Sequence, residues 1–272
     1  MNKVKILFED AVAETLMITL ACRAVEANQK KPVLQDQKAL ELVEKVDYDL
    51  EKYKHLNNNV ISVCSRAAKI DQYCIDFLQK YPDGTIISIG SGLDTRYWRI
   101  DNGRMKFIDL DLPEVIKIRQ QLIPAGDRNS YLSCSAWDFQ WLEQLKDIRT
   151  KPTLILSEGV MIYQTEDKVI ELWQKIRNYF THDDNVLVFD ICNQYQLKHS
   201  RNHPAIKKTR SSFKWGTDHP QKIQEKIKGI ELEDINYYAR PLMWRLGWFN
   251  FKRLWPPIGK GYSVLRFKFM PR

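Results

Sequence analysis

The sequence predicts an α/β protein in which a doubly wound, mostly parallel sheet follows a helical cap. From residue 85 onward, short β-branched segments alternate with amphipathic ones, as parallel strands joined by crossover helices require. Before residue 60 the periodicity is helical. The segment "IISIGSGLDTRYWRI", residues 86–100, closes the first strand of the series with a glycine-bearing turn, where open parallel sheets bind ligands. At 272 residues, 44% hydrophobic and 28% charged, the chain can bury a core as one domain with an appendage.

The elements follow in order. "ETLMITLACRAVEA" and "DQKALELVEKV" place apolar residues three and four apart on either side of Pro32, which predicts two cap helices within residues 1–59. A long amphipathic helix is expected over 60–81, ended by the turn Pro82-Asp83-Gly84. Strands are expected at "TIISIG", "MKFIDLD", "SYLSCSA", "TLILSEG" and "NVLVFDIC", with helices at "PEVIKIRQQLI" and "TEDKVIELWQKIRNYF". The final "FNFKRLWPPIGKGYSVLRFKF" alternates around Pro256-Pro257 and reads as a closing antiparallel pair at the sheet edge.

Composition narrows the function. No apolar run approaches the roughly 20 residues that a bilayer-spanning helix needs, so no membrane association is expected. The acidic start lacks a secretory layout, and five scattered cysteines read as reduced thiols of a cytoplasmic protein. The formal charge of +8 is spread along the chain without the arginine and aromatic interleaving of a strand-binding groove, so no nucleic-acid partner is expected. His199 and His203 stand four apart but lack further ligands, and no metal is expected.

The glycine turn carries the chemistry. Gly90 and Gly92 let backbone approach a ligand closely. A dinucleotide site would want a third glycine at position 95, which is Thr, and Asp94 would repel a pyrophosphate while suiting an amino group or a sulfonium. The turn therefore argues for S-adenosyl-L-methionine. About 20 residues on, where a carboxylate accepts ribose hydroxyls in such folds, stand Asp109 and Asp111; Pro113 also makes Asp111 a plain helix cap.

"GSGLDTR", "IDLDLPEVIKIR" and "SEGVMIY", with the N-terminal "LACRAVEANQKKPVLQDQKALELVEKVDYDLEKY", closely resemble the leucine carboxyl methyltransferase family, including its polyketide O-methyltransferase branch of the tetracenomycin type. The resemblance covers nearly the whole chain. It implies a class I (Rossmann-like) methyltransferase domain over 60–272, with an insertion at about 193–250 covering the acceptor site. It implies S-adenosyl-L-methionine as cofactor, with S-adenosyl-L-homocysteine as product. Gly90, Ser91 and Gly92 would pass under the methionine part, and Arg66 would pair with its carboxylate. The match to "D-L-P" favours Asp111, beside Leu112, for the ribose, with Asp109 second. Asp138 and Phe139 of "SAWDF" would read the adenine, unless Asp138 only caps the helix that follows. Glu158 would face the cofactor. Asp94 would either touch ligand or pair with Arg96.

Methyl transfer from a sulfonium needs alignment and dryness more than acid or base chemistry, so no residue is singled out as a catalytic base. Tyr163 and Arg23 are acceptor-side candidates, Arg23 having a plain surface role as its alternative. The expected acceptor is a small molecule, acidic or aromatic, methylated on a carboxylate or hydroxyl oxygen. A cofactor-binding regulatory module and a nucleic-acid methyltransferase are the competing readings. The tryptophans from Trp215 to Trp255 could line an acceptor pocket, although core packing explains aromatics as readily and is the reading for Trp244 and Trp248.

Overall fold

Alternation along the central strands gives the sheet two apolar faces, and helices cover both. The computed structural model describes residues 3–6, 15–48, 57–200, 212–238 and 255–272. A two-residue strand β1 (Val4–Lys5) precedes helices α1 (Thr15–Ala27) and α2 (Gln37–Lys45), and pairs in parallel with β2 (Val46–Asp47). Asp36 caps α2, its carboxylate accepting from the Ala39 N–H at 3.0 Å. Helix α3 (Asn57–Lys80) leads to β3 (Thr85–Ile89), α4 (Arg96–Ile100), β4 (Lys106–Asp111), α5 (Pro113–Leu122) and β5 (Asn129–Ser133). Then come a 3-10 segment (Phe139–Ile148), β6 (Thr153–Ser157), a 3-10 turn (Met161–Tyr163), α6 (Glu166–Tyr179) and β7 (Val186–Cys192). After α7 (Gln194–His199) and α8 (Ile223–Lys226), β8 (Ile230–Asn236) and β9 (Tyr262–Phe269) flank the short α9 (Pro256–Gly259).

Seven strands form one sheet in the order β5-β4-β3-β6-β7-β9-β8, parallel from β5 through β7, with β9 antiparallel to both its neighbours. The central β3, β6 and β7 are buried along their whole length. Ile86, Phe107, Leu154, Leu156 and Val188 pack with Ile70, Cys74 and Phe77 of α3. Their neighbours in sequence, including Ile87, Ile108, Ile155, Leu187 and Phe189, meet Leu172, Trp173 and Ile176 of α6 on the opposite face. Among the described residues no helix is long and apolar enough to cross a membrane.

Two expectations change. The closing antiparallel pair exists, but β9 takes β8 as its outer partner, so part of the 193–250 stretch is sheet rather than insertion. Pro256 and Pro257, around which the pair was expected to alternate, start α9, and 249–254 lie outside the described residues. The cap helices pack on the sheet domain, Leu16, Leu20 and Leu42 sharing a core with Leu93, Val115 and Leu122, and α3 begins at Asn57, before the expected residue 60. Trp244, Trp248 and His203 lie outside the described residues.

Trp173 is wholly buried and stacks on Phe189 with centroids 5.1 Å apart. Trp173→Ala is expected to cost about 3–5 kcal/mol in urea unfolding, because the site cannot collapse around the lost ring. A loss below about 1 kcal/mol would mean that α6 is not anchored there.

Candidate functional site

The sheet reverses its winding between β3 and β6, which places their C-terminal loops side by side. The β3 loop turns through Gly90, with φ +69°, and Gly92, with φ +50°. At Gly90 the constraint is double, for an added Cβ would also come within 2.3 Å of Val160 on the β6 loop. The N–H groups of Gly90 and Ser91 donate back to the Leu110 carbonyl, at 2.7 and 3.3 Å, which ties the turn to β4. Asp111 completes the tie, its carboxylate accepting from Gly92 N–H at 2.6 Å and Leu112 N–H at 2.8 Å.

Behind the turn lies a buried ionic network. Arg96, at the start of α4 and fully buried, donates to Asp71 of α3 at 2.6 Å, to Asp94 at 2.5 Å and to Glu158 at 2.5 Å. Arg99 reaches Asp71, Asp94 and Asp36. Arg23 of α1 lies 3.1 Å from Asp36 and donates to the Leu93 carbonyl at 2.7 Å. Arg66 of α3 donates to Glu158 at 3.0 Å and to Asp190 of β7 at 2.8 Å. Four arginines thus face five carboxylates, Asp36, Asp71, Asp94, Glu158 and Asp190. Burial pushes the Asp94 and Glu158 carboxyls up, but the neighbouring guanidiniums outweigh it and hold both below the ordinary range. For Asp190 burial wins over Arg66, and its carboxyl stands above that range.

Between network and turn opens a cavity of about 340 Å³, within the range of small-molecule sites. Gly90, Ser91, Gly92, Asp94, Asp111, Leu112, Glu158, Arg66, Arg23 and Tyr163 all line it, so most of the expected residues converge. Two groups do not. Asp109 is 1% exposed and held by Arg119 at 2.7 Å and Asn129 at 2.9 Å beneath the turn, which makes it a core acid. Asp111 stands two residues further along β4, at the strand's C-terminal end beside the turn. Asp138 caps the 3-10 segment through the Gln140 N–H, and Phe139 packs beside the core under Lys175, both outside the cavity; Cys134, Ser135, Ala136 and Trp137 line it instead. Asp94 pairs with Arg96, as one of its two expected roles required, and also borders the cavity. Arg23 is buried rather than a surface residue.

The sequence left out Asp190, Asp36 and Asp71. An acid inside the apolar "LVFDIC" was the available signal for Asp190, because a buried strand acid needs a partner. Asn59, Tyr238 and Tyr262 also line the cavity without having been singled out. Four polar atoms of lining residues, Ser91 Oγ, Asn59 Nδ2, Arg23 Nε and the Tyr262 hydroxyl, are buried and without hydrogen-bond partners among the described residues. A ligand with polar groups would satisfy them.

The family model described as leucine carboxyl methyltransferase matches residues 16–177. The chain is 29% identical over 224 residues to the tetracenomycin polyketide synthesis O-methyltransferase TcmP of Streptomyces glaucescens, covering 82% of each chain. It is also 29% identical over 284 residues to the S-adenosyl-L-methionine-dependent methyltransferase dpfgK of Gibberella zeae, covering 92% of this chain and 93% of that one. Among solved structures, a DUF574-family protein from Streptomyces avermitilis superposes with a TM-score of 0.59 at 10% identity, covering 96% of this chain and all of that one, a likeness of fold.

Burial raises the Asp111 carboxyl from 3.8 to about 6, against the two N–H groups that favour its ionised form. A raised pKa stabilises the fold below the unfolded value and loses that contribution as pH rises through the folded one. Relative to Asp111→Asn, the unliganded protein is therefore expected to lose stability between pH 3.8 and about 6 and to run parallel above that window. Urea titrations of both proteins across the window check this, and a constant difference would refute it.

Proposed function

The chain belongs to the leucine carboxyl methyltransferase family, and from that premise we propose that it transfers the methyl group of S-adenosyl-L-methionine to a carboxylate or hydroxyl oxygen of a small-molecule acceptor. The carrying observation is the convergence of the Gly90–Gly92 turn, Asp111 and the acid-rich network on one cavity at the switch point of the sheet. A relative named for polyketide synthesis supports a small acceptor over a nucleic acid. Action in the cytoplasm suits the free cysteines.

The residues fit the cofactor. When bound, it supplies an electrophilic methyl carbon on a sulfonium and leaves as S-adenosyl-L-homocysteine. Gly90 and Gly92 present bare backbone, and Ser91 brings an unpartnered hydroxyl. Asp111 keeps lone pairs free for ribose hydroxyls, being engaged only by two N–H groups. Arg66, steadied by Glu158 and Asp190, offers a planar fork to a carboxylate. The surplus carboxylate favours a ligand of net positive charge. Ser135 to Trp137, rather than Asp138 and Phe139, are the adenine-side candidates.

Arg23, ion-paired to Asp36 and donating to the Leu93 carbonyl, and Tyr163 both line the cavity and remain the acceptor-side candidates. Phe213 and Tyr238, from the stretch proposed to cover the acceptor, complete that side. The protein's contribution is to orient the acceptor oxygen and exclude water, without a dedicated base.

Purified protein incubated with methyl-labelled S-adenosyl-L-methionine and a panel of phenols, carboxylic acids and transfer RNA is expected to label a small acceptor. Tight cofactor binding without labelling of any acceptor would favour a regulatory module instead. Arg66→Lys is expected to weaken S-adenosyl-L-methionine by about tenfold and its decarboxylated analogue by less than about twofold. Equal losses would remove the carboxylate from Arg66.

A further inference from the structure

The carbonyls of the glycine turn are held by arginines that come from two helices. Arg119 of α5, fully buried, donates from Nη1 to the Gly92 carbonyl at 2.9 Å and to the Asp94 carbonyl at 2.8 Å. The Leu93 carbonyl between them accepts from Arg23 of α1 at 2.7 Å. Three successive carbonyls are thus engaged, and on the same peptides Asp111 takes the Gly92 N–H. The turn is gripped on both its donors and its acceptors. Gly92 has no side chain and stands at φ +50°, so its backbone gains its orientation from these bonds rather than from packing of its own.

Arg119 is itself fixed. Its Nη2 donates to Asp109 of β4 at 2.7 Å, Asp109 also accepts from Asn129 of β5 at 2.9 Å, and the guanidinium carbon lies 5.4 Å from the centre of the Tyr131 ring. Neither Arg119 nor Asp109 lines the cavity. Stability does not account for the pair. Arg119 Nε, Asp109 Oδ1 and Asn129 Oδ1 are buried and without hydrogen-bond partners among the described residues, each a cost to the fold. Apolar residues of similar volume replace a buried ion pair with little loss, so what this pair contributes is the placement of the group it holds. That group is the turn.

We propose that Arg119, braced by Asp109, is a positioning residue for S-adenosyl-L-methionine: through the Gly92 and Asp94 carbonyls it holds the turn, and with it the Asp94 carboxylate, in the arrangement that the methionine part of the cofactor meets. The proposal rests on the methyltransferase reading and deepens it by assigning the charged residues beneath the turn. Asp109, which does not reach the ribose, then serves the cofactor through Arg119. A lysine at position 119 would balance the Asp109 charge but has no planar fork to divide between a carboxylate and two carbonyls.

Calorimetry with S-adenosyl-L-homocysteine and with methylthioadenosine, which keeps the nucleoside and lacks the amino-acid part, tests it. Arg119→Met combined with Asp109→Asn removes the donor to the turn without stranding a charge, and leaves Asn129 an acceptor. The double variant is expected to weaken S-adenosyl-L-homocysteine by at least about tenfold and methylthioadenosine by less than about threefold. Arg119→Lys, which keeps a charge facing Asp109, decides the matter if the double variant fails to fold. It is expected to weaken S-adenosyl-L-homocysteine by about fivefold and to leave methylthioadenosine within about twofold. Equal losses for the two ligands would make Arg119 a structural residue and overturn the proposal while the methyltransferase reading stands. S-adenosyl-L-homocysteine affinity within about twofold of wild type in the variants that fold would overturn it too. Failure of the wild type to bind either ligand would sink the methyltransferase reading itself, and this role with it.

Discussion

A single buried guanidinium organises the ligand-facing edge of this protein. Arg96 is wholly excluded from solvent and spends its three nitrogens on carboxylates from three places, Asp71 in α3, Asp94 in the glycine turn and Glu158 beyond β6. Removing one partner of such a cluster strands charge in low dielectric, a penalty of about 3–5 kcal/mol. The cluster is therefore close to all-or-none. It locks the β3 loop, the β6 loop and α3 into one arrangement, and Arg99 and Arg23 extend the lock to α2 and α1 through Asp36. Buried ion pairs of this kind are poor sources of net stability, so their value here lies in fixing geometry.

That geometry sets the electrostatics of the cavity. Five carboxylates against four arginines leave the network one negative charge in excess by formal count, directly behind a turn whose glycines admit close backbone contact. The opposite side of the cavity is aromatic and short of charge. One end suits a cationic ligand, and the other offers aromatic surface away from that charge.

Much of this was legible in the sequence. The alternation of β3 to β7 with their helices and the turn at Gly90 and Gly92 follow from local pattern, whereas the preference for Asp111 over Asp109 came from the resemblance, since strand periodicity puts two acids spaced by two residues on the same face. The structure moved Asp138 and Phe139 out of the cavity, since a strand ending at Ser133 turns through Cys134 to Trp137 before the capped 3-10 segment begins. It also turned "IELEDIN" into the outer edge strand, a segment whose alternation was present but was absorbed into an expected insertion.

The sequence by itself determined the winding of the sheet, the site of the turn and the family, because these depend on periodicity and on residues adjacent along the chain. Tertiary structure alone decided the partners of Arg66 and Arg96, the burial of Arg23, and the joining of Tyr163, Phe213, Tyr238 and Tyr262 into one wall. Arg66 and Asp190 are separated by 124 positions, and no local pattern encodes which of many charges meet once the chain closes on itself. Their pairing is a property of the packed fold, where desolvation forces every buried charge to find its opposite.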